Sequence, residues 1–503
     1  MSQVAAPDSR ATRAADSDPR LPQHRSLYYG GAWHASTGGR EIPVSCPATG
    51  DPLGASIDAT VEDVDRAVVA ARAGFLVWRD TPAQERAKAI RKASSILRAH
   101  AEELAWLDAR DGGNPFVAMA YDVEISADYM DYFAGMVTEI KGSTIPINAN
   151  TLNYTLREPL GVIARIGAFN HPLLFVAGKC GAPLAAGNSL IVKPADQTPL
   201  SALRIAELWD GVFPPGVFNI VTGGRDAGIA LVAHPKVAKI GFIGSVNAGR
   251  AVMTGAGSTL KALTLELGGK NALIACADTT PEEIADGVVR GMNFRYVTGQ
   301  SCNSTSRVYL HESIHDAALA EIVKRVKELK IGLPTERATE VSCLSSQAQF
   351  DKTMSYIKLG VEGGARIACG GKRITDPALA KGFFVEPTVF ADVTDDMRIA
   401  REEIFGPVVS ILRWRDENDV LARVNALDVG LTASIWTHDL DRAHRLASKV
   451  ESGYVWINGA STHYVGVPFG GYKQSGVGRE ESIDELLACT QIKNINVTLR
   501  RGT

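Results

Sequence analysis

From residue 161 onward the chain alternates short apolar runs with helical stretches, and few folds accommodate that alternation. Val162–Ile166, 189–192, 217–221 and 239–243 are apolar runs of four or five residues, most of them separated by helical stretches. Strands that are apolar throughout are covered on both faces, and parallel strands need a crossover connection. The pattern therefore specifies a parallel, doubly wound α/β sheet. A second alternating set begins near Leu265. It contains Ala272–Ala275, 307–310, 408–412, 431–436 and Tyr454–Ile457, with amphipathic helices such as 313–327 between them.

A chain of 503 residues exceeds one simple core, so two or three domains are expected. Its 45% hydrophobic and 22% charged residues are those of an ordinary globular protein. The net charge is −3, from 53 basic and 56 acidic residues, and points away from nucleic-acid and membrane-surface partners. No apolar run reaches transmembrane length. The first 25 residues are polar and lack the apolar middle of a secretory signal, while Asp8, Asp16 and Asp18 dilute the arginines that a transit peptide would need. A disordered tail over 1–25 is expected. The cysteines at 46, 180, 276, 302, 343, 369 and 489 form no C-x-x-C pair. No metal site or disulfide framework is expected, and a reducing cytoplasm is the expected location.

Before the alternating region, Thr60 reads as an N-cap, with Glu62 and Asp63 in the first turn and Val64, Ala67, Val68, Ala71 and Phe75 at helical spacing. Helices are expected over 83–100 and 116–133, with Asp111-Gly112-Gly113-Asn114-Pro115 breaking the chain between them. Residues 141–159 alternate partly, as an extended hairpin does, and 493–499 is β-like again.

The chemistry concentrates in two stretches. In Gly299-Gln300-Ser301-Cys302-Asn303-Ser304 a cysteine sits among small polar residues, where a packing cysteine would have apolar neighbours. In Leu265-Glu266-Leu267-Gly268-Gly269-Lys270-Asn271 a carboxylate stands at an apolar strand end before a glycine pair. Thiol and carboxylate together suit covalent thioester chemistry: one attacks a carbonyl, the other activates water. Lys193-Pro194-Ala195-Asp196 follows a strand, where such sheets bind nucleotides. Gly244-Ser245 through Gly249 is a strand, a glycine turn and a helix start, which reads either as a tight turn or as a pyrophosphate site. Asn170, after Val162–Ile166, reads either as a turn residue or as an oxyanion donor.

Seven blocks agree in order and spacing with the aldehyde dehydrogenase superfamily, which the chain resembles from about Tyr28 to Lys493: the Asn170 block, the Lys193 block, the glycine turn, ELGGK, GQSC, EEIFGPV and PFGGYKQSG. The resemblance implies a Rossmann-like NAD-binding domain over 26–140 and 161–263, an α/β catalytic domain over 264–480, and a β-hairpin oligomerisation segment over 141–160 and 481–503. It implies a homodimer or homotetramer, and the otherwise unpaired strand edges agree. By the same resemblance Cys302 is the nucleophile, Glu266 the general base, and Asn170 the oxyanion donor with the Cys302 amide. Lys179 and Glu480 form a proton-relay or thiolate-tuning pair. Lys193 and Asp196 bind the adenosine ribose; Gly244, Ser245 and Gly249 the pyrophosphate; Phe169, Glu403 and Phe405 the nicotinamide end. Asp196 stands where the family usually has glutamate, Phe169 where it has tryptophan, and His171 where it has an aromatic. NAD is the expected cofactor, with NADP possible, and the Cys302 thiol is expected to ionise below the free-thiol value of about 8.5.

The family pattern lines the aldehyde tunnel with His171, Leu174, Phe175 and Tyr296, with Ser301 and Asn303 beside the nucleophile, and with Ser461, His463 and Phe469; Phe169, Arg295, Thr462 and Tyr464 stand with these. Aromatic rings and polar tips imply an aromatic or oxygenated aldehyde. A carboxylate-bearing semialdehyde is the alternative, should Arg295 face the tunnel. A CoA-acylating enzyme would lack Glu266, a non-enzymatic relative would lose Cys302, Glu266 or Asn170, and a cysteine hydrolase would need a histidine base that no block supplies.

Overall fold

The protein is described here by a computed structural model covering residues 18–499. The alternation resolves into two large sheets. The first has eight strands in the order Ala32–His34, Leu27–Tyr29, Phe218–Ile220, Ser189–Lys193, Val162–Ile166, Val237–Gly244, Ala262–Leu267 and Gly476–Val477. Its five central strands run parallel. From Val162–Ile166 the chain winds outward on one side, then returns to place Val237–Gly244 on the other. The order reverses between these two strands, and a crevice opens there beyond their carboxyl ends. Period-two alternation splits the central strand between two cores. Val162, Ala164 and Ile166 pack with the helices Val61–Trp78 and Arg225–Ala233, whereas Ile163 packs with Ala83–Ala99 and Phe116–Gly135.

The second sheet has seven strands in the order Arg366–Cys369, Thr388–Ala391, Val408–Trp414, Arg307–His311, Ala272–Ala275, Thr432–Trp436 and Tyr454–Ile457, parallel apart from the first. Arg366–Cys369 and Thr388–Ala391 were not foreseen. Each has four residues, and the first is an edge strand without an apolar run. The expected hairpin is present as Thr144–Asn148 and Thr151–Pro159, with Thr490–Thr498 pairing antiparallel along the latter. Ile145, Ile147, Leu152, Leu156 and Ile492 stand exposed on it.

Thr60 caps Val61–Trp78 as expected, through a reciprocal box in which Asp63 N–H donates to Thr60 Oγ1 at 3.2 Å and Thr60 N–H donates to Asp63 Oδ2 at 2.9 Å. The expected tail is corrected in part. Residues 1–17 lie outside the described residues, but 18–25 pack on the body. Leu21 is buried, the Arg20 guanidinium lies 3.5 Å from the Trp106 ring centroid, and His24 stacks on Trp33 at 4.6 Å. A polar composition concealed one anchoring leucine and two side chains that stack on aromatic rings. The division drawn at 263/264 falls inside the strand Ala262–Leu267, and Gly476–Val477, expected in the second unit, completes the first sheet.

Candidate active site

Two cavities meet at one thiol and one carboxyl. A cavity of about 100 Å³ on one side and a cleft of about 150 Å³ on the other share Cys302, Glu266 and Ile243. Cys302 stands in the loop between the short helix Phe294–Val297 and the strand Arg307–His311. Asn271 anchors that loop. Its Nδ2 donates to the carbonyls of Cys302 (2.7 Å) and Ser304 (3.0 Å), and its Oδ1 accepts from Thr432 N–H at 3.0 Å. Asn271 belongs to the block that carries Glu266, but its anchoring role was not read from the sequence.

Glu266 is the penultimate residue of Ala262–Leu267, paired in register with Ile243 on one side and Gly476 on the other. It is buried, and neither carboxyl oxygen has a hydrogen-bond partner among the described residues. Burial, and then the negative charge of Glu480, push its carboxyl well above the usual range. The Cys302 thiol is likewise pushed up, by burial and by the Glu266 and Glu403 carboxylates. This is opposite to the expected low thiol pKa: burial and the nearby carboxyls outweigh the backbone hydrogen bond that lowers it.

Lys179 and Glu480 come together as expected, with Lys179 Nζ 2.9 Å from Glu480 Oε2, but inside a larger cluster. Lys179 also lies 3.1 Å from Glu481, and Arg165 joins Glu480 (2.5 Å) to Glu485. Against the cost of burial, Lys179 and Arg165 hold the Glu480 carboxyl down at about 2, and Lys179 and His463 lower that of Glu481. Burial raises the Glu485 carboxyl despite Arg165. Two buried cations thus balance the two carboxylates, Glu480 and Glu481, that are held low. Arg165 went unread, although a lone arginine within Val-Ile-Ala-Arg-Ile is a visible signal in a strand buried at every position.

The smaller cavity is lined by His171, Leu174, Phe175 and Tyr296, by Ser301 and Asn303 beside the thiol, and by Ser461, His463 and Phe469. All nine are brought together. Tyr121, Ile125 and Tyr129, a stripe at i, i+4, i+8 on Phe116–Gly135, complete the wall and were missed, because such a stripe reads as ordinary core. The same helix supplies the buried Asp122, which binds His171 Nδ1 at 2.8 Å and receives the Tyr296 hydroxyl. His463 lies between Glu481 (Nδ1, 3.0 Å) and the Asn303 amide (Nε2, 2.9 Å). Arg295 and Thr462 border an outer vestibule that shares Tyr121 and Tyr296 with the cavity, and Arg295 is paired with Glu340 at 2.9 Å. Tyr464 is exposed, and Phe169 belongs to the other cleft.

That cleft is lined by Phe169, Asn170, Gly244, Ser245, Glu403 and Phe405, with Gln349 and Lys352 added by the structure. Asn170 has its backbone carbonyl held by Asn114 Nδ2 at 2.8 Å, and its side-chain amide has no partner among the described residues. Ser245 caps Val246–Gly257 by accepting from Ala248 N–H at 3.2 Å. Glu403 accepts from Gly269 N–H at 3.1 Å, and a Cβ on Gly268 would come within 2.3 Å of its carboxylate, so only glycine admits Glu403 there. The Phe405 ring meets Phe169 edge-on at 5.6 Å. Lys193 ends the neighbouring strand, its amine buried and hydrogen-bonded to Pro194 O at 3.2 Å; Asp196 and Asp58 stand near it around Gly224. Gly249 is not among the residues lining the cleft. A Cβ there would reach within 2.5 Å of Leu267, so this glycine lets the helix approach the strand that carries Glu266.

The sequence profile of the Aldehyde dehydrogenase family matches residues 33–495. Aldehyde dehydrogenase tropH of Talaromyces stipitatus is 47% identical over 490 residues, 96% of this chain and 95% of that protein. Among solved structures, the NAD+ complex of aldehyde dehydrogenase from Bacillus cereus is 39% identical with a TM-score of 0.92, covering 96% of this chain and 99% of that one. PnpE from Pseudomonas sp. WBC-3, also solved in complex with nicotinamide adenine dinucleotide, is 38% identical with a TM-score of 0.92 over 95% of this chain and 98% of that one.

Proposed function

Because the chain belongs to the aldehyde dehydrogenase family, we propose that it oxidises an aldehyde to the carboxylic acid with NAD, using Cys302 as nucleophile and Glu266 as base. It is an NAD(P)-dependent aldehyde oxidoreductase. The observation that carries the residue assignment is that the thiol and the carboxyl belong to both cavities, so an aldehyde from one side and a nicotinamide from the other would meet over them.

The residues of the cleft suit the dinucleotide. Glu403 accepts from the nicotinamide ribose, and the Gly268 backbone leaves room for it. The start of Val246–Gly257 offers amide groups to the pyrophosphate, and Lys193 and Asp196 take the adenosine ribose. When bound, NAD accepts a hydride from the carbon under attack. Cys302 Sγ bonds to the carbonyl carbon as its proton passes to solvent through the Lys179–Glu480 pair, and the oxygen becomes an alkoxide held by the Asn170 amide and the Cys302 backbone N–H. Losing one such donor costs roughly 3–4 kcal/mol. Once oxidised, the carbon is a thioester on Cys302. Glu266 takes a proton from water, the resulting hydroxide adds to the thioester, and the acid leaves as sulfur regains a proton. Lys179 and Glu480, adjoining Glu266, carry its proton onward.

The aromatic wall supports an aromatic or oxygenated aldehyde. Arg295 borders the outer vestibule rather than the cavity beside Cys302, and its Nε pairs with Glu340, which argues against the semialdehyde alternative. The exposed apolar residues of the three-stranded sheet support a homodimer or homotetramer. Among the described residues no helix is long and apolar enough to cross a membrane, and we place the enzyme in the cytoplasm on the cysteine pattern alone. The test is steady NADH formation from an aldehyde panel without CoA or phosphate. Cys302→Ala is expected to abolish it while leaving NAD binding intact; near-wild-type oxidation by that variant would overturn the assignment.

A further inference from the structure

The polar tips that line the aldehyde cavity are not equally available. Tyr296 spends its hydroxyl on Asp122. The His463 ring has both nitrogens engaged, by Glu481 and by Asn303. Ser301 donates to Asn303 at 2.7 Å, and the Tyr129 hydroxyl meets Glu481. Tyr121 sits half exposed at the mouth. His171 differs. It is 93% buried (7% exposed) and lines the cavity; its Nδ1 is taken by Asp122, and Nε2 has no partner among the described residues.

Asp122 fixes which nitrogen carries the proton. A carboxylate can only accept, so His171 places a hydrogen on Nδ1 toward Asp122, and Nε2 is the ring nitrogen left to face the cavity, an acceptor in that neutral tautomer. The Tyr296 hydroxyl on the other Asp122 oxygen and the edge-on Tyr296 ring, 4.9 Å from the His171 ring, hold this arrangement in place. Phe175 packs on the same imidazole at 5.6 Å. An acceptor set among aromatic rings, apart from the Glu266 carboxyl beside the thiol, selects a ligand that brings a donor on an otherwise apolar body.

We propose that His171 Nε2 accepts a hydrogen bond from a hydroxyl group of the substrate, with Asp122 as its positioning residue, so that the enzyme prefers hydroxylated aromatic aldehydes over their unsubstituted parents. This rests on the aldehyde-oxidising function proposed above and names a substrate class within it.

The test compares kcat/KM for benzaldehyde, its three hydroxy isomers, the matching methoxy compounds and carboxybenzaldehyde. Ratios are taken within one enzyme sample, so the folded fraction cancels. One hydroxy isomer is expected to exceed benzaldehyde about tenfold, the worth of one net hydrogen bond. Its methoxy counterpart, which accepts but cannot donate, should gain nothing. His171→Leu should bring the hydroxy-to-parent ratio close to one, and His171→Gln, which keeps an acceptor, should retain several-fold. An unchanged ratio in His171→Leu, a methoxy compound equal to its hydroxy partner, or a preference for carboxybenzaldehyde would overturn the proposal. If His171→Leu does not fold, the wild-type methoxy comparison and His171→Gln decide. Acetaldehyde or propanal outrunning benzaldehyde tenfold would likewise overturn the aromatic substrate class. Failure of every aldehyde to yield NADH refutes the broader function instead, and is a separate outcome.

Discussion

Glu266→Gln separates a catalytic role from a structural one, because the two predict opposite results. The glutamine keeps the shape of a side chain whose carboxyl oxygens have no partners among the described residues, so no hydrogen bond to them is lost. It cannot take a proton from water. General-base assistance is worth about 10²–10⁴ in rate, or about 3–5 kcal/mol, so steady turnover should fall by that factor while the first equivalent of NADH still forms. Stability should move the other way. Burial and Glu480 raise the folded-state pKa of Glu266 above its unfolded value of about 4.3. A carboxyl raised in this way contributes fully below the unfolded pKa, and its contribution is lost as pH rises toward the folded one. Glutamine has no proton to lose. The variant should therefore match wild type in acid and gain on it progressively above about pH 4–5. The assays are stopped-flow NADH formation for burst and steady state, and urea denaturation across pH. Normal steady turnover would remove Glu266 from the mechanism. Lost turnover together with lost stability at neutral pH would mean that the residue is structural and the assignment wrong.

Arg165→Met removes the guanidinium that joins Glu480 to Glu485 and donates to the Lys179 carbonyl at 3.1 Å. Stranding buried carboxylates should cost about 3–5 kcal/mol in urea denaturation, and a loss below about 1 kcal/mol would refute the charge balance. In the wild type, the Glu480 carboxyl lies below its unfolded value, so its contribution should be present above about pH 4 and disappear as pH falls toward 2. NAD should be preferred over NADP, since the Asp196 carboxylate near the ribose would repel a 2′-phosphate. Aspartate is one methylene shorter than glutamate, so the preference in kcat/KM should be modest, and equal values would count against it.

Much of this was legible in the amino-acid order because it is local. The strands Ala272–Ala275 and Tyr454–Ile457, the cap at Thr60 and the buried face of Val61–Trp78 follow from residues within a turn or a strand of one another. Cys302 and Glu266 were legible because their neighbours are wrong for packing. Relationships between distant segments were hidden. Nothing in the chain ties His171 to Asp122, 49 residues away, or Arg165 to Glu480, 315 residues away; the crossovers of the doubly wound sheet and the packing of Phe116–Gly135 bring them together. Availability was hidden too. Two histidines and two tyrosines read as polar tips of the tunnel, yet packing leaves Tyr464 exposed and commits the polar atoms of Tyr296 and His463 to the protein, while His171 Nε2 has no partner among the described residues. The protonation of Cys302 and Glu266 belongs to the same class. Local pattern sets which element forms and which residues could react. A pKa depends on the water excluded by, and the charges carried on, every segment that packs around the group, and only the assembled fold determines those.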